Sequence, residues 1–201
     1  MLRVKFPDDR NCAQRVIRTT ACHNSWITCV EFIAKLGCVV TTSLDRRIVL
    51  SDLNSGKRLR TFDKHKYVYS RDEMMRETEP DSAGVYQFVY SNAWGFIASA
   101  GVARSALVWN PITLEVIQTL SGHKTAIQNV LLDDRNNNLI TISMDKCMII
   151  WNCEGFNCKQ HIFDFTLYGV DNRFTAAMWD GALDRLVTAN KALTAWPLQR
   201  V

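Results

Sequence analysis

Histidine, serine and aspartate are the side chains of hydrolytic catalysis, and this sequence sets them out twice in the same order. His123 is followed by Ser143 and Asp145, and His23 by Ser43 and Asp45. In a hydrolase, an imidazole oriented by a carboxylate takes the proton of a serine hydroxyl, which then attacks a carbonyl carbon. One catalytic centre needs one such trio. A trio copied at fixed spacing describes a repeated structural unit rather than a nucleophile.

Other constellations are weaker. Cys153, Cys158 and His161 form C-x4-C-x2-H, but a fourth ligand is missing nearby, so ordinary thiols are expected rather than structural zinc. Asp133 and Asp134, beside three asparagines, lack the spacing of a calcium loop and read as a hairpin turn. Neither a G-x-x-x-x-G-K phosphate cradle, nor G-x-G-x-x-G, nor a G-x-S-x-G elbow occurs. The sequence therefore offers no catalytic residue, no cofactor-binding residue and no metal ligand.

Composition bounds the rest. The chain has 201 residues, 47% apolar and 22% charged, which suits a globular core and not a disordered tail. Its net charge of +4 is thin for a nucleic-acid binder. No apolar run is long enough to span a membrane, and Met1 to Arg10 lacks an apolar signal region. Seven cysteines, odd in number and irregularly spaced, read as reduced thiols, so a cytoplasmic setting is expected.

The elements that position these side chains repeat. Trp109, Trp151 and Trp196 end three similar apolar runs, separated by 42 and 45 residues. A fourth run, Ile48 to Asp52, has Ser51 in the tryptophan position. Trp151 stands 28 residues after His123, and Ser51 stands 28 after His23. Short Val-, Ile-, Leu- and Phe-rich segments separated by Asp, Asn and Gly predict four antiparallel strands per period. One such sheet cannot bury both faces and must stack on its neighbours.

These features resemble the WD40 repeat over residues 23–198. The copy running from Ser121-Gly122-His123 through Met144-Asp145-Lys146 to Trp151-Asn152 is the strongest. The resemblance implies an all-β propeller segment of about four blades, part of a seven- or eight-bladed ring. It also implies a hydrogen-bonded tetrad of His123, Ser143, Asp145 and Trp151, matched by His23, Ser43 and Asp45, with Ser51 breaking the chain. In the second copy Asp81 takes the histidine position and Ala103 the turn aspartate position. The fourth copy has a shorter turn and no histidine.

The expected organisation is an outer strand of a preceding blade within 1–22, a repeat at 23–62, a charged insert at 63–82, and repeats at 83–120, 121–165 and 166–201. The strand at 14–20, three full blades and a three-stranded last blade make sixteen strands. Remaining blades elsewhere, or a second copy, would close the ring. The insert, with four positive and six negative charges, reads as a solvated loop, or alternatively as a partner-specific insertion.

By resemblance, the function is a non-catalytic scaffold for protein partners, without cofactor. The contacts would be Trp26, Leu44, Ala126 and Met144 on the narrow ring face, although Trp26 could instead pack inward. The first repeat is also similar to animal proteins related to the fly Y-chromosome WD-repeat protein, which would imply germline or axonemal assemblies. Two alternatives stay open: nucleic-acid binding through Arg46, Arg47, Lys57, Arg58 and Arg60, and an enzyme site formed by further blades.

Overall fold

The computed structural model describes residues 21–63, 84–163 and 174–197. The strand expected at 14–20 lies outside them, as do Asp81 and the insert beyond Asp63. Fifteen strands occur among the described residues. The first sheet contains β1 (Ile27–Ile33), β2 (Cys38–Ser43), β3 (Ile48–Ser51) and β4 (Arg58–Phe62). The second contains β5 (Val85–Tyr90), β6 (Ile97–Gly101), β7 (Ser105–Trp109) and β8 (Val116–Ser121). The third contains β9 (Ile127–Asp133), β10 (Asn138–Ser143), β11 (Cys147–Asn152) and β12 (Cys158–Phe163). The last has three described strands, β13 (Ala176–Asp180), β14 (Arg185–Ala189) and β15 (Leu193–Pro197). Every sheet is an antiparallel meander in chain order.

Turn chemistry in the sequence sets the strand boundaries. Asp52, Asn110 and Asn152 each end a third strand or directly follow it. Each side chain accepts the N–H two residues on: Asn54, Ile112 and Glu154 respectively. The turn closes when the residue four on donates to the carbonyl of the first. Gly56, Leu114 and Phe156 do so, all at positive φ. Glycine adopts that conformation freely, whereas a branched or aromatic residue there costs about 1 kcal/mol. Phe156 recovers some of this by packing edge-on against Phe96, ring centroids 5.4 Å apart.

Alternation along the strands sends one set of side chains to each neighbouring sheet. Val40, Ile48, Leu50 and Phe62 of the first sheet meet Phe88, Tyr90, Ile97, Leu107 and Trp109 of the second. Phe62 and Trp109 stand edge-to-face with centroids 5.2 Å apart. Ala98, Ala100, Ala106 and Val108, on the other face of the second sheet, meet Val130, Leu139, Ile149 and Trp151. The third sheet then presents Ile140, Ile142, Met148 and Ile150 to Phe174, Leu186, Trp179 and Trp196. Each fully buried aliphatic or aromatic chain contributes roughly 1.5–3 kcal/mol, so these three seams hold the stack together. Trp109, Trp151 and Trp196, each on the third strand of its sheet, face the preceding sheet.

The first strands of successive sheets lie side by side and run the same way. Bonds between equivalent turns fix this: Lys35 Nζ to the Asn92 carbonyl, Trp94 Nε1 to Asn137 Oδ1, and Arg135 to the Gly181 carbonyl. The stack therefore has two ends. The lower end carries the turns after each first and third strand. The upper end carries the turns after each second strand and the segments leading into each first strand. The two outer faces of the stack stay open. Val30 and Phe32 are 65% and 55% exposed on the first sheet, and Met178 is 58% exposed on the last.

Candidate functional site

Thr141, not Ser143, is the hydroxyl at the centre of the buried network. His123 Nε2 lies 2.7 Å from Thr141 Oγ1, and Trp151 Nε1 donates to the same oxygen at 2.9 Å. Thr141 in turn donates to the Ile149 carbonyl at 3.4 Å. A hydroxyl has one hydrogen and two lone pairs, so this assignment uses it completely. It also makes His123 a donor through Nε2, leaving Nδ1 as the acceptor, buried and without a partner. Burial pushes the His123 imidazole down to about 4, against the attraction of Asp145, so the ring is neutral at neutral pH.

Ser143 belongs to the neighbouring turn. Its hydroxyl donates to the Asp145 carboxylate, with the Cys147 carbonyl, 3.1 Å from Oγ, sharing the same hydrogen. Asp145 also accepts the Cys147 N–H at 3.3 Å, while its own N–H donates to Thr125 Oγ1. Burial alone would raise the Asp145 carboxyl. The Ser143 hydroxyl and the Cys147 N–H, with help from Thr125, hold it below its ordinary value instead. The expected direct link from Ser143 to His123 and Trp151 is thus replaced by Thr141. On β10, residue 143 sits at the turn, while residue 141 faces the previous sheet beside the tryptophan.

The first repeat shows the same substitution of Thr41 for Ser43. His23 Nε2 lies 2.8 Å from Thr41 Oγ1, and its Nδ1 lies 3.1 Å from both oxygens of Asp45. Among the described residues, Ser43 Oγ accepts the Asp45 N–H, at 3.0 Å. Ser51 occupies the tryptophan position with its hydroxyl buried and unpartnered. The other tryptophans keep the link: Trp109 donates to Ser99 at 2.7 Å and Trp196 to Thr188 at 2.9 Å. Ala103 occupies the turn position without a carboxylate. A hydroxyl ten residues before each of positions 51, 109 and 151 was the sequence signal for this atom.

None of these hydroxyls is set up for attack. Thr141 is fully buried and gives its hydrogen to a carbonyl, and Ser143 has no bond to His123. The metal constellation does not assemble either. Cys153 is buried and Cys158 exposed, while the cysteine near His161 is Cys147, at 3.9 Å from Nδ1. Among the described residues no group of three or more ligands gathers. Asp133 is a buried turn anchor accepting from Asn136 and Asn138.

The four proposed contacts come together in pairs at the upper end. The Leu44 N–H donates to the Trp26 carbonyl at 3.0 Å, and the Met144 N–H to the Ala126 carbonyl at 2.9 Å. The same bond from Val102 to Gly84 identifies the second sheet's equivalents, which lacked a histidine to mark them. Trp26 is 78% exposed and points outward rather than into the core. It borders an open recess of about 740 Å³ lined by residues from His23 to Ile27. Leu44, Ala126 and Met144 are half-buried. The basic group proposed for nucleic acid divides: Arg46 and Arg47 lie at the upper end, Lys57 at the lower, and Arg58 and Arg60 along β4.

Comparison with known proteins agrees with this geometry. The family model described as WD domain, G-beta repeat matches residues 14–52 and 114–152. A chromatin assembly factor 1 protein of Gallus gallus is 21% identical over 155 residues, covering 75% of this chain and 27% of that protein. Protein HIR1 of Cryptococcus neoformans is 30% identical over 80 residues, 40% of this chain and 9% of that one. Two solved structures, of U3-55K and of the RRP9 WD40 repeats, align at TM-scores of 0.71 and 0.68 with 18% and 17% identity. Each alignment covers 90% of this chain, and 51% and 53% of theirs. The chain thus spans about half of those structures and about a quarter of the chicken protein. Two of its segments match the WD40 repeat, and its four sheets are successive blades of a WD40-type β-propeller.

Proposed function

We propose that this chain is a rigid, non-catalytic platform on which protein partners assemble, with Trp26, Leu44, Ala126 and Met144 among the contacts. The observation that carries this reading is the outward Trp26, 78% exposed beside an open recess on a hydrogen-bonded scaffold. A large aromatic held in water by a rigid frame is the kind of anchor that buries well against a partner. Similarity to proteins named for chromatin assembly is consistent with work inside a complex. The likeness of the first repeat to the fly Y-chromosome WD-repeat proteins is not supported by the relatives named above.

The open faces at Val30, Phe32 and Met178 support a ring completed by further blades or by a second copy. A cytoplasmic setting rests on the reduced thiols alone. The chromatin name of a relative points to the nucleus, and imaging of the tagged protein in cells decides between them.

The test is a pair of double variants of the full-length protein expressed in its own cells. Trp26→Ala with Met144→Ala should keep the unfolding midpoint and lose the co-purifying protein partner. Leu53→Ala with Ile112→Ala, exposed at the lower end, should retain it. Equal retention by both would remove the upper end as the contact surface.

A further inference from the structure

The two ends of the stack differ in charge as well as in turn type. Every described upper-end turn between second and third strands carries a basic residue: Arg46 and Arg47, then Arg104, Lys146 and Lys191. Lys124, directly after His123, adds a sixth. Three carboxylates lie at this end among the described residues: Asp45 turns inward, while Asp145 and Asp63, which directly follows β4, are exposed. Asp45 accepts from His23 and from the N–H groups of Asn24 and Arg47. Asp145 accepts from Ser143 and Cys147. At the lower end the described turns hold three basic against five acidic residues. Among the described residues the two ends therefore differ in charge, which the +4 of the whole chain does not show.

We propose that the upper end takes an extended acidic segment of a protein partner, an inference that rests on the platform reading above and names the chemistry of its ligand. The cations recur once or more per blade, so they form a row across the stack. Apolar side chains, Trp26, Leu44 and Met144, lie among them. A peptide with Asp and Glu separated by apolar anchors complements both features at once. Single-stranded nucleic acid fits less well. Binding of that kind uses successive aromatic platforms, and the exposed aromatic side chains at this end among the described residues, Trp26 and Phe163, belong to the first and third sheets rather than to successive ones.

The experiment measures fluorescence anisotropy with the intact protein and three labelled probes: a peptide of Glu-Glu-Leu units, its Lys-Lys-Leu counterpart and an oligouridylate. The acidic peptide should bind and the basic one should not, and added salt should weaken the complex. Lys124→Glu with Lys191→Glu should raise its Kd by about tenfold or more. Lys57→Glu with Arg58→Glu should change it by less than about twofold, with circular dichroism unchanged throughout. An unchanged Kd in the first variant, or tighter binding of the oligouridylate, overturns the proposal. Failure of the acidic peptide while Trp26 and Met144 remain necessary for the cellular partner removes the acidic chemistry alone. Failure of both removes the platform reading too.

Discussion

Replacing Thr141 with valine removes one buried oxygen and leaves the shape of the side chain unchanged. Two donors lose their acceptor at once, Trp151 Nε1–H at 2.9 Å and His123 Nε2–H at 2.7 Å. Each stranded donor costs about 1–3 kcal/mol, while the added methyl returns about 0.8 kcal/mol. The net loss is about 1–5 kcal/mol, or roughly a 5- to 4000-fold shift towards the unfolded chain. Thr41→Val should cost about half as much, because Ser51 leaves no indole to strand and only His23 is orphaned. Ser143→Ala should cost about 1–2 kcal/mol, since Asp145 keeps the Cys147 N–H. Urea unfolding followed by tryptophan fluorescence reads all three as midpoint shifts at constant slope. A Thr141→Val midpoint equal to the parent's, or a larger loss in Ser143→Ala, would refute the assignment of Thr141 as the shared acceptor.

Acid should destabilise the protein. The folded imidazole of His123 titrates at about 4, below its ordinary 6.5, so the unfolded chain takes the proton first. Its contribution is complete above about pH 6.5 and falls away as pH drops towards about 4, and His123→Phe should flatten that part of the stability curve. Asp45 and Asp145, also held low when folded despite burial, add losses of the same sign further into acid. Gly84→Ala should destabilise by about 1–3 kcal/mol in the same urea assay, because a Cβ there would stand 2.5 Å from the Leu44 Cα at the seam between the first two sheets. Thiol titration should find Cys158 reactive in the folded protein. Cys147 and Cys153, which burial pushes up to about 11 and about 12, should react only on unfolding.

The period of the tryptophans and the turn residues made the sheets legible from sequence, because turn chemistry and alternation are local. The division of labour between Thr141 and Ser143 was not. Both carry a hydroxyl on the same strand, and only the facing direction distinguishes them: residue 141 lies beside the tryptophan, and residue 143 sits at the turn. The outward position of Trp26 was equally hidden, since an aromatic three residues past a histidine is compatible with core or surface. The charge polarity emerged only once the turns were sorted into two ends. In sequence, Arg46, Arg104, Lys146 and Lys191 are simply scattered.

The upper end as the contact surface is tested most directly by placing a photo-crosslinking residue at position 26 in one full-length variant and position 53 in another. Crosslinking in living cells followed by mass spectrometry should give a discrete protein adduct from position 26 and none from position 53. An adduct from position 53 alone would put the partner on the opposite end and contradict the account.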